Sequence, residues 1–440
     1  MDTLRIQGGA ALVGDMRVPG DKSISHRSVL LGALGDGPTT VTGFLDGRDC
    51  LATVGIMQVL GVRIERHTAT GLTIQGVGLH GLHPPGGALD CRNSGTTMRL
   101  LSGLMAGQRF GSVLTGSRQL CTRPMDRVIA PLRETGASIS GADGGGTAPL
   151  TVRPAAHPLQ GVRYAMPVAS AQVKSCLLLA GLYAASATTV IEPGPTRDHT
   201  ECMLRGMGVH VVNEGRRITL EPPERLKGTN VAIPGDPSSA AFLMVAACIV
   251  PGSRLRIVDV GLNPTRTGLL DALLQMGADI RMGNRREAAG EAVGDLLVGY
   301  APLRGSEFGG DLIVRMIDEL PLLALACSQA EGPSRIRDAQ ELKVKESNRI
   351  LDTERQLARL GAVVHGTEDG FAIDGDSSLH GACVDSCGDH RLAMLLAVAG
   401  LAAQGETVVA GAKVTDDSFP GFAETLKALG GAAERGPADA

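Results

Sequence analysis

Basic and hydroxyl residues in this 440-residue chain gather just ahead of long apolar runs. In Gly20-Asp21-Lys22-Ser23-Ile24-Ser25-His26-Arg27-Ser28, Lys22, Ser23 and Arg27 lead into Val29-Leu30-Leu31. The four-residue step from Ser23 to Arg27 puts both on one helical face. Lysine brings a compact point charge, serine a hydroxyl, and arginine a planar fork matched to carboxylate. Asn93-Ser94-Gly95-Thr96-Thr97-Met98-Arg99 and Thr122-Arg123-Pro124-Met125 repeat the theme. Gly95 carries no side chain, so a ligand can approach the backbone there. Met166-Pro167-Val168-Ala169-Ser170-Ala171-Gln172-Val173-Lys174-Ser175 and Thr196-Arg197-Asp198-His199-Thr200-Glu201 add hydroxyl, amide and guanidinium donors suited to a phosphate.

Later in the chain the pattern changes, because carboxylates enter the apolar sequence. Ile317-Asp318-Glu319-Leu320-Pro321 is one case, and burial beside other charges is what makes a carboxylate useful in acid-base work. Helix capping is the structural alternative for Asp318. Lys343-Val344-Lys345-Glu346-Ser347-Asn348-Arg349 alternates charges at the expected start of a helix, a pattern that taken alone describes a solvated face. Asp389-His390-Arg391 and Lys413-Val414-Thr415-Asp416 complete the set. Metal chemistry has little support: Cys383, Cys387 and His390 lack a fourth ligand at suitable spacing.

The elements that position these groups recur. Leu or Thr or Met, then Gly, then a small residue and a β-former appears around Gly61, Gly136, Gly208, Gly277, Gly361 and Gly430, roughly 70 to 85 residues apart. Each glycine suits the residue that closes a helix in left-handed conformation. Between them lie six apolar helices whose polar starts are the clusters above, together with Asp236-Pro237-Ser238-Ser239. A helix apolar on all sides is a buried one, and its N-terminus presents free N–H groups and partial positive charge to an anion.

Val18-Pro19-Gly20-Asp21-Lys22-Ser23 echoes Ile233-Pro234-Gly235-Asp236-Pro237-Ser238, with three units after each. The expected division is therefore residues 21–233 as a first lobe and 1–20 with 234–440 as a second, with the active site between them. The fold class is α/β, two similar lobes with a sixfold internal repeat.

Sixty glycines against seven Phe, three Tyr and no Trp mean that small residues do much of the packing. A net charge of -4 argues against general nucleic-acid or anionic-membrane binding, so any cationic site is local. Nine cysteines, an odd number scattered through apolar runs, read as core residues of a reducing compartment. The start Met1-Asp2-Thr3-Leu4-Arg5-Ile6 has neither signal nor transit character, which makes the cytoplasm the expected location. The apolar stretches Ala240 to Val250 and Leu392 to Ala403 fall short of the ~18 to 20 residues a membrane span needs.

Taken together, Gly20 to Arg27, Asn93 to Arg99, Arg123-Pro124-Met125, Lys345 to Arg349 and Asp389-His390-Arg391 resemble the signature segments of the enolpyruvyl transferases, in the branch that acts on shikimate 3-phosphate. The resemblance runs in order from Gly20 to Pro420. It implies an inverse α/β barrel in each lobe, three βαβαββ units apiece. It also implies transfer of the enolpyruvyl group of phosphoenolpyruvate to the 5-hydroxyl of shikimate 3-phosphate with release of phosphate. Neither metal nor organic cofactor is implied, the substrates are the expected partners, and a monomer is expected.

Carried over by motif, Ser23 and Arg27 hold the shikimate carboxylate, while Ser170, Arg197 and Lys345 bind its phosphate, with Ala171 and Gln172 in the same set. Lys22, Arg123, Arg349, Arg391 and Lys413 surround phosphoenolpyruvate, and Gly95 and Gln172 line its site. Lys22 is shared between both substrates and the chemistry. Asp318 binds the attacking hydroxyl as base, and Glu346 exchanges the proton at the vinyl carbon. Ala171 stands where some members have a second serine, Asn348 where aspartate is common, and Leu100 where proline is common. The resemblance also implies competition by the herbicide glyphosate at the phosphoenolpyruvate site. The sister branch that uses a UDP-aminosugar carries a Lys-Asn pair where this chain has Lys22-Ser23. A catalytically silent anion-binding protein would have no need of Asp318 and Glu346 beside the basic set.

Overall fold

Gly61, Gly136, Gly208, Gly277, Gly361 and Gly430 all take φ between 87° and 97°. Each follows a surface helix, as Gly61 follows Arg48–Val59 and Gly361 follows Arg349–Arg359. Left-handed backbone costs a glycine nothing and turns the chain back toward the sheet. Six further helices are buried along almost their whole length: Lys22–Leu34, Gly95–Ala106, Ala171–Gly181, Pro237–Ile249, Leu320–Ser328 and His390–Ala402.

Five of those six carry a side-chain cap. Asp21, Ser94, Ser170, Asp236 and Asp389 each accept from an amide of the first turn. The exception is Leu320–Ser328, which starts after Glu319 without one, so capping is not the role of Asp318. The charged run 343–349 leads into a helix as expected: Gln340–Val344 forms a 3-10 turn and the helix begins at Arg349, capped by Asn348. Asn348 thus supplies a cap where the resemblance expects aspartate, and both side chains can accept that amide.

Six small sheets accompany the helices, and in each a parallel pair of strands is followed by an antiparallel one. The computed structural model describes residues 2–436, and their contacts divide the chain into two units. One is Gly20–Ile233 with Ala288–Glu291; the other comprises residues up to Pro19, Pro234–Glu287, and those from Ala292 onward. In the first, strands Leu226–Lys227 and Asn230–Ala232 return to run parallel to Gly35–Thr42. In the second, Val13–Arg17 runs parallel to Arg254–Gly261, and Thr3–Gln7 pairs antiparallel with both Glu406–Ala410 and Ala432–Gly436.

Two details depart from the expected boundaries. Gly20 goes with the first unit because it lies against Gly43, so closely that a Cβ would sit 1.7 Å from that carbonyl oxygen. Residues 288–291, the tip of the hairpin Asp279–Ala288 and Glu291–Gly299, also go with it, because Glu291 accepts from His199 Nδ1 at 2.7 Å.

Each unit has its own apolar core. In the first, close helix approach takes the place of aromatic bulk: a Cβ on Gly103 would meet the Cys176 carbonyl oxygen at 2.0 Å. The second adds a Phe242, Phe419 and Phe422 cluster with ring centroids 6.0 and 5.2 Å apart. All nine cysteines are free, and among the described residues no helix is long and apolar enough to cross a membrane.

Candidate functional site

In the first unit the starts of the buried helices are tied together by their polar residues. Lys22 Nζ pairs with Asp49 at 2.5 Å. His26, one turn on, joins a buried chain of hydroxyls: its Nδ1 is 2.8 Å from Thr53 Oγ1, which is 2.8 Å from Thr97 Oγ1, which donates to Ser94 at 2.8 Å. Burial, reinforced by Lys22 and Arg27 and opposed by Asp49, pushes the His26 imidazole down to about 3. It is a neutral hydrogen-bonding ring at ordinary pH.

Arg27 is 3% exposed. Its Nε donates to Thr200 Oγ1 at 2.6 Å, one terminal nitrogen to Ser175 Oγ at 2.6 Å, and the other to the Ser23 carbonyl at 2.9 Å. Gln172 accepts from Arg99 at 2.6 Å and donates to Thr96 at 3.0 Å, which fixes the orientation of its amide. A Cβ at Gly95 would lie 3.1 Å from both Arg123 and Arg99 terminal nitrogens, so the bare backbone here faces two guanidinium groups. Ser170 caps its helix as an acceptor, which leaves its hydroxyl proton to donate. Ala171 and Arg197 are half-buried, with Arg197 in the loop before His199–Gly206.

That loop is stapled from beneath. Lys174 Nζ, 1% exposed, reaches Glu201 at 2.7 Å, Glu192 at 2.9 Å and the Thr196 carbonyl at 3.4 Å. Burial opposes the Lys174 charge, but Glu201 and Glu192 outweigh it and hold the ammonium above its ordinary value.

The second unit gathers Asp318, Lys345, Glu346, Arg349 and Arg391. Asp318 lies 3.2 Å from Arg349, 3.4 Å from Lys345 and 3.7 Å from Arg391. Arg349, 1% exposed, also donates to Glu346 at 2.7 Å and to both oxygens of Asp389 at 2.7 and 3.2 Å. Burial alone would lower the Arg349 guanidinium; Asp389, Glu346 and Asp318 raise it far above the ordinary range. Asp389 is the converse: burial would raise it, and Arg349 holds it below the usual carboxylate value. Lys413 is exposed in the 3-10 turn Ala412–Asp417 and makes no ion pair with this group among the described residues.

Several of these residues escape the motif-based set. Arg99 and Thr96 orient Gln172, Ser175 and Thr200 grip Arg27, and Asp389 grips Arg349. Glu319, 3% exposed, accepts from the Ser238 hydroxyl and lies 3.7 Å from Arg391. Arg266 completes that buried group by donating to Asp236 at 3.0 Å and Ser238 at 2.8 Å. Arg99, Asp389, Glu319, Ser175 and Thr200 stand inside the polar segments of the sequence without a role assigned there, whereas Arg266 carries no local signal. No group of three or more His, Cys, Asp or Glu side chains suited to a metal occurs among the described residues.

Comparison with known proteins agrees over the full length. The family profile described as EPSP synthase (3-phosphoshikimate 1-carboxyvinyltransferase) matches residues 6–426. A protein of that name from Brevibacillus brevis is 49% identical over 96% of this chain and 99% of its own. One from Desulforudis audaxviator is 51% identical over 97% and 99%. Among solved structures, EPSP synthase from Acinetobacter baumannii superposes with a TM-score of 0.89 at 44% identity, covering 99% of this chain and 100% of that one. The enolpyruvyl transferase NikO from Streptomyces tendae, at 19% identity and a TM-score of 0.79, shares the fold.

Proposed function

The chain belongs to the EPSP synthase family, and from that premise we propose how its residues divide the work of the reaction. The activity is that of a 3-phosphoshikimate 1-carboxyvinyltransferase, in the shikimate pathway to aromatic amino acids, with shikimate 3-phosphate and phosphoenolpyruvate as substrates. We further take the enzyme to act as a cytoplasmic monomer.

In this reading Asp318 is the base. The supporting observation is its setting: one carboxylate among Lys345, Arg349 and Arg391, within 3.7 Å of each. Glu346 delivers a proton to the vinyl carbon of phosphoenolpyruvate, which creates cationic character at the neighbouring carbon. The 5-hydroxyl adds there as Asp318 takes its proton. The tetrahedral adduct then expels phosphate, which leaves with the proton Asp318 had taken, and the methyl carbon returns a proton to Glu346, restoring the double bond. Two carboxylates serve two proton sites. Lys22, Arg123, Arg349, Arg391 and Lys413 stabilise phosphate through its departure. Ser23 and Arg27 take the shikimate carboxylate; Ser170, Arg197 and Lys345 take its phosphate. Gln172 and the bare backbone at Gly95 complete the phosphoenolpyruvate site.

Phosphate release from phosphoenolpyruvate, dependent on added shikimate 3-phosphate, tests the activity; no release from pure, folded protein would overturn it. The assignment of the base is tested by Asp318→Ala. It should lower kcat by at least about 100-fold while changing substrate dissociation constants less than about tenfold. A loss confined to affinity would make Asp318 a binding group only.

A further inference from the structure

Arg27 is enclosed, yet among the described residues every acceptor in direct contact with its guanidinium is neutral. Thr200 Oγ1 and Ser175 Oγ each stand 2.6 Å from it, and the Ser23 carbonyl 2.9 Å. The two hydroxyls are also 2.8 Å from one another and almost wholly buried. Of five N–H donors, these bonds engage three, leaving one on each terminal nitrogen. Glu201 and Asp21 act on Arg27 through space, opposing the burial that pushes its guanidinium down to about 10, while Arg197 adds to the depression. Glu201 is itself engaged by Lys174 at 2.7 Å.

The same ion pair explains how the hydroxyls come to be aligned. Lys174 precedes Ser175 on the helix Ala171–Gly181, and Glu201 follows Thr200 on the helix His199–Gly206. Their buried contact pins the crossing of the two helices at the step where Ser175 and Thr200 meet. A carboxylate in the place of either hydroxyl would neutralise Arg27 and compete with an anionic ligand. Neutral acceptors instead set the plane of the fork and leave its charge uncancelled.

We propose that Thr200 and Ser175 are positioning residues, a hydroxyl clamp that aims Arg27 at the carboxylate of shikimate 3-phosphate and so sets affinity for that substrate. The inference rests on the reading above that Arg27 receives this carboxylate.

Steady-state kinetics of Thr200→Val, Thr200→Ser and Ser175→Ala test the clamp. Thr200→Val keeps the shape and removes the acceptor. KM for shikimate 3-phosphate should rise about tenfold, with kcat and the phosphoenolpyruvate KM within about twofold of the parent. Thr200→Ser should restore most of the loss, and Ser175→Ala should reproduce part of it. With a ring-phosphate analogue that lacks the carboxylate, binding should be weak and equal in parent and Thr200→Val.

An unchanged KM for shikimate 3-phosphate in folded Thr200→Val would overturn the clamp, as would an equal loss in Thr200→Ser or an equal penalty against the analogue. Should Thr200→Val fail to fold, Ser175→Ala decides by the same measures. An inactive parent enzyme would defeat the proposed function instead, whereas an active parent with indifferent clamp variants defeats only this inference.

Discussion

Arg27 and Arg349 are buried to nearly the same degree, and each is gripped at Nε and at both terminal nitrogens, but the acceptors are opposite in kind. Arg27 is held by two hydroxyls and a carbonyl, Arg349 by Asp389, Glu346 and Asp318. Burial wins at Arg27, whose guanidinium falls to about 10; the carboxylates win at Arg349, which rises well above its ordinary value. The difference separates two uses of one side chain. A neutral grip orients a charge and leaves it for a ligand. A carboxylate grip makes the charge an organiser: Arg349 fixes both proposed proton-transfer groups at once, and four of its five N–H donors are already engaged. Any contact with phosphoenolpyruvate then goes through the remaining donor, or competes with Glu346 and Asp318.

The largest effect expected from this contrast is on stability. Asp389→Ala removes two hydrogen bonds to Arg349 and the cap on the helix His390–Ala402, leaving a buried guanidinium short of countercharge. A cost of about 3–5 kcal/mol is expected in denaturant unfolding. Ser175→Ala, which removes one neutral acceptor from Arg27, should cost about 1 kcal/mol. Equal costs would break the distinction between the two grips.

Arg27→Lys gives a smaller, kinetic effect. A lysine keeps the charge but cannot meet Thr200, Ser175 and a carboxylate with one planar fork. KM for shikimate 3-phosphate should rise by about one order of magnitude or more, with kcat little altered. Arg349→Lys should do the reverse, lowering kcat because Asp318 and Glu346 lose their common partner. The same kinetic pattern in both variants would mean that the two arginines serve one purpose.

Much of this framework is legible in the sequence, for physical reasons that also mark where legibility ends. A C′ glycine is a local requirement, so Gly61 and its five counterparts announce the repeat directly. The starts of the buried helices are readable because polar residues ahead of an all-apolar helix are an anomaly of pattern. The partners are another matter. Ser175 and Thr200 fall inside donor-rich segments of the sequence, but their meeting with one another and with Arg27 depends on how helices cross. Lys174 looks like a surface lysine until Glu192 and Glu201 arrive from other elements. Glu291 sits at a hairpin tip among exposed charges, and nothing local signals that His199 will bury it. Motifs name the groups that face a ligand; the groups that aim them belong to tertiary structure.

The two regions should also part company in acid. Asp389 is held below its ordinary value, so its contribution to stability is complete above about pH 3.9, the unfolded value, and is lost only as pH falls through the folded one. His26, beside Arg27, behaves differently. Its unfolded imidazole titrates near 6.5, while in the fold burial, with Lys22 and Arg27 against Asp49, pushes it down to about 3. Between those values the unfolded chain binds a proton that the folded chain does not, so stability declines as pH drops below about 6.5. The slope from this one residue approaches ~1.4 kcal/mol per pH unit. His26→Asn keeps a polar partner for Thr53 and removes the titration. Its unfolding free energy should therefore fall less than that of the parent between pH 6.5 and pH 5, by about 1–2 kcal/mol over the interval. Parallel curves for parent and variant would show that His26 is charged in the fold, and the hydroxyl chain through Thr53 and Thr97 would then need a different proton arrangement. A loss of stability that parent and variant share below about pH 4 belongs instead to the carboxylates around Arg349, which both carry.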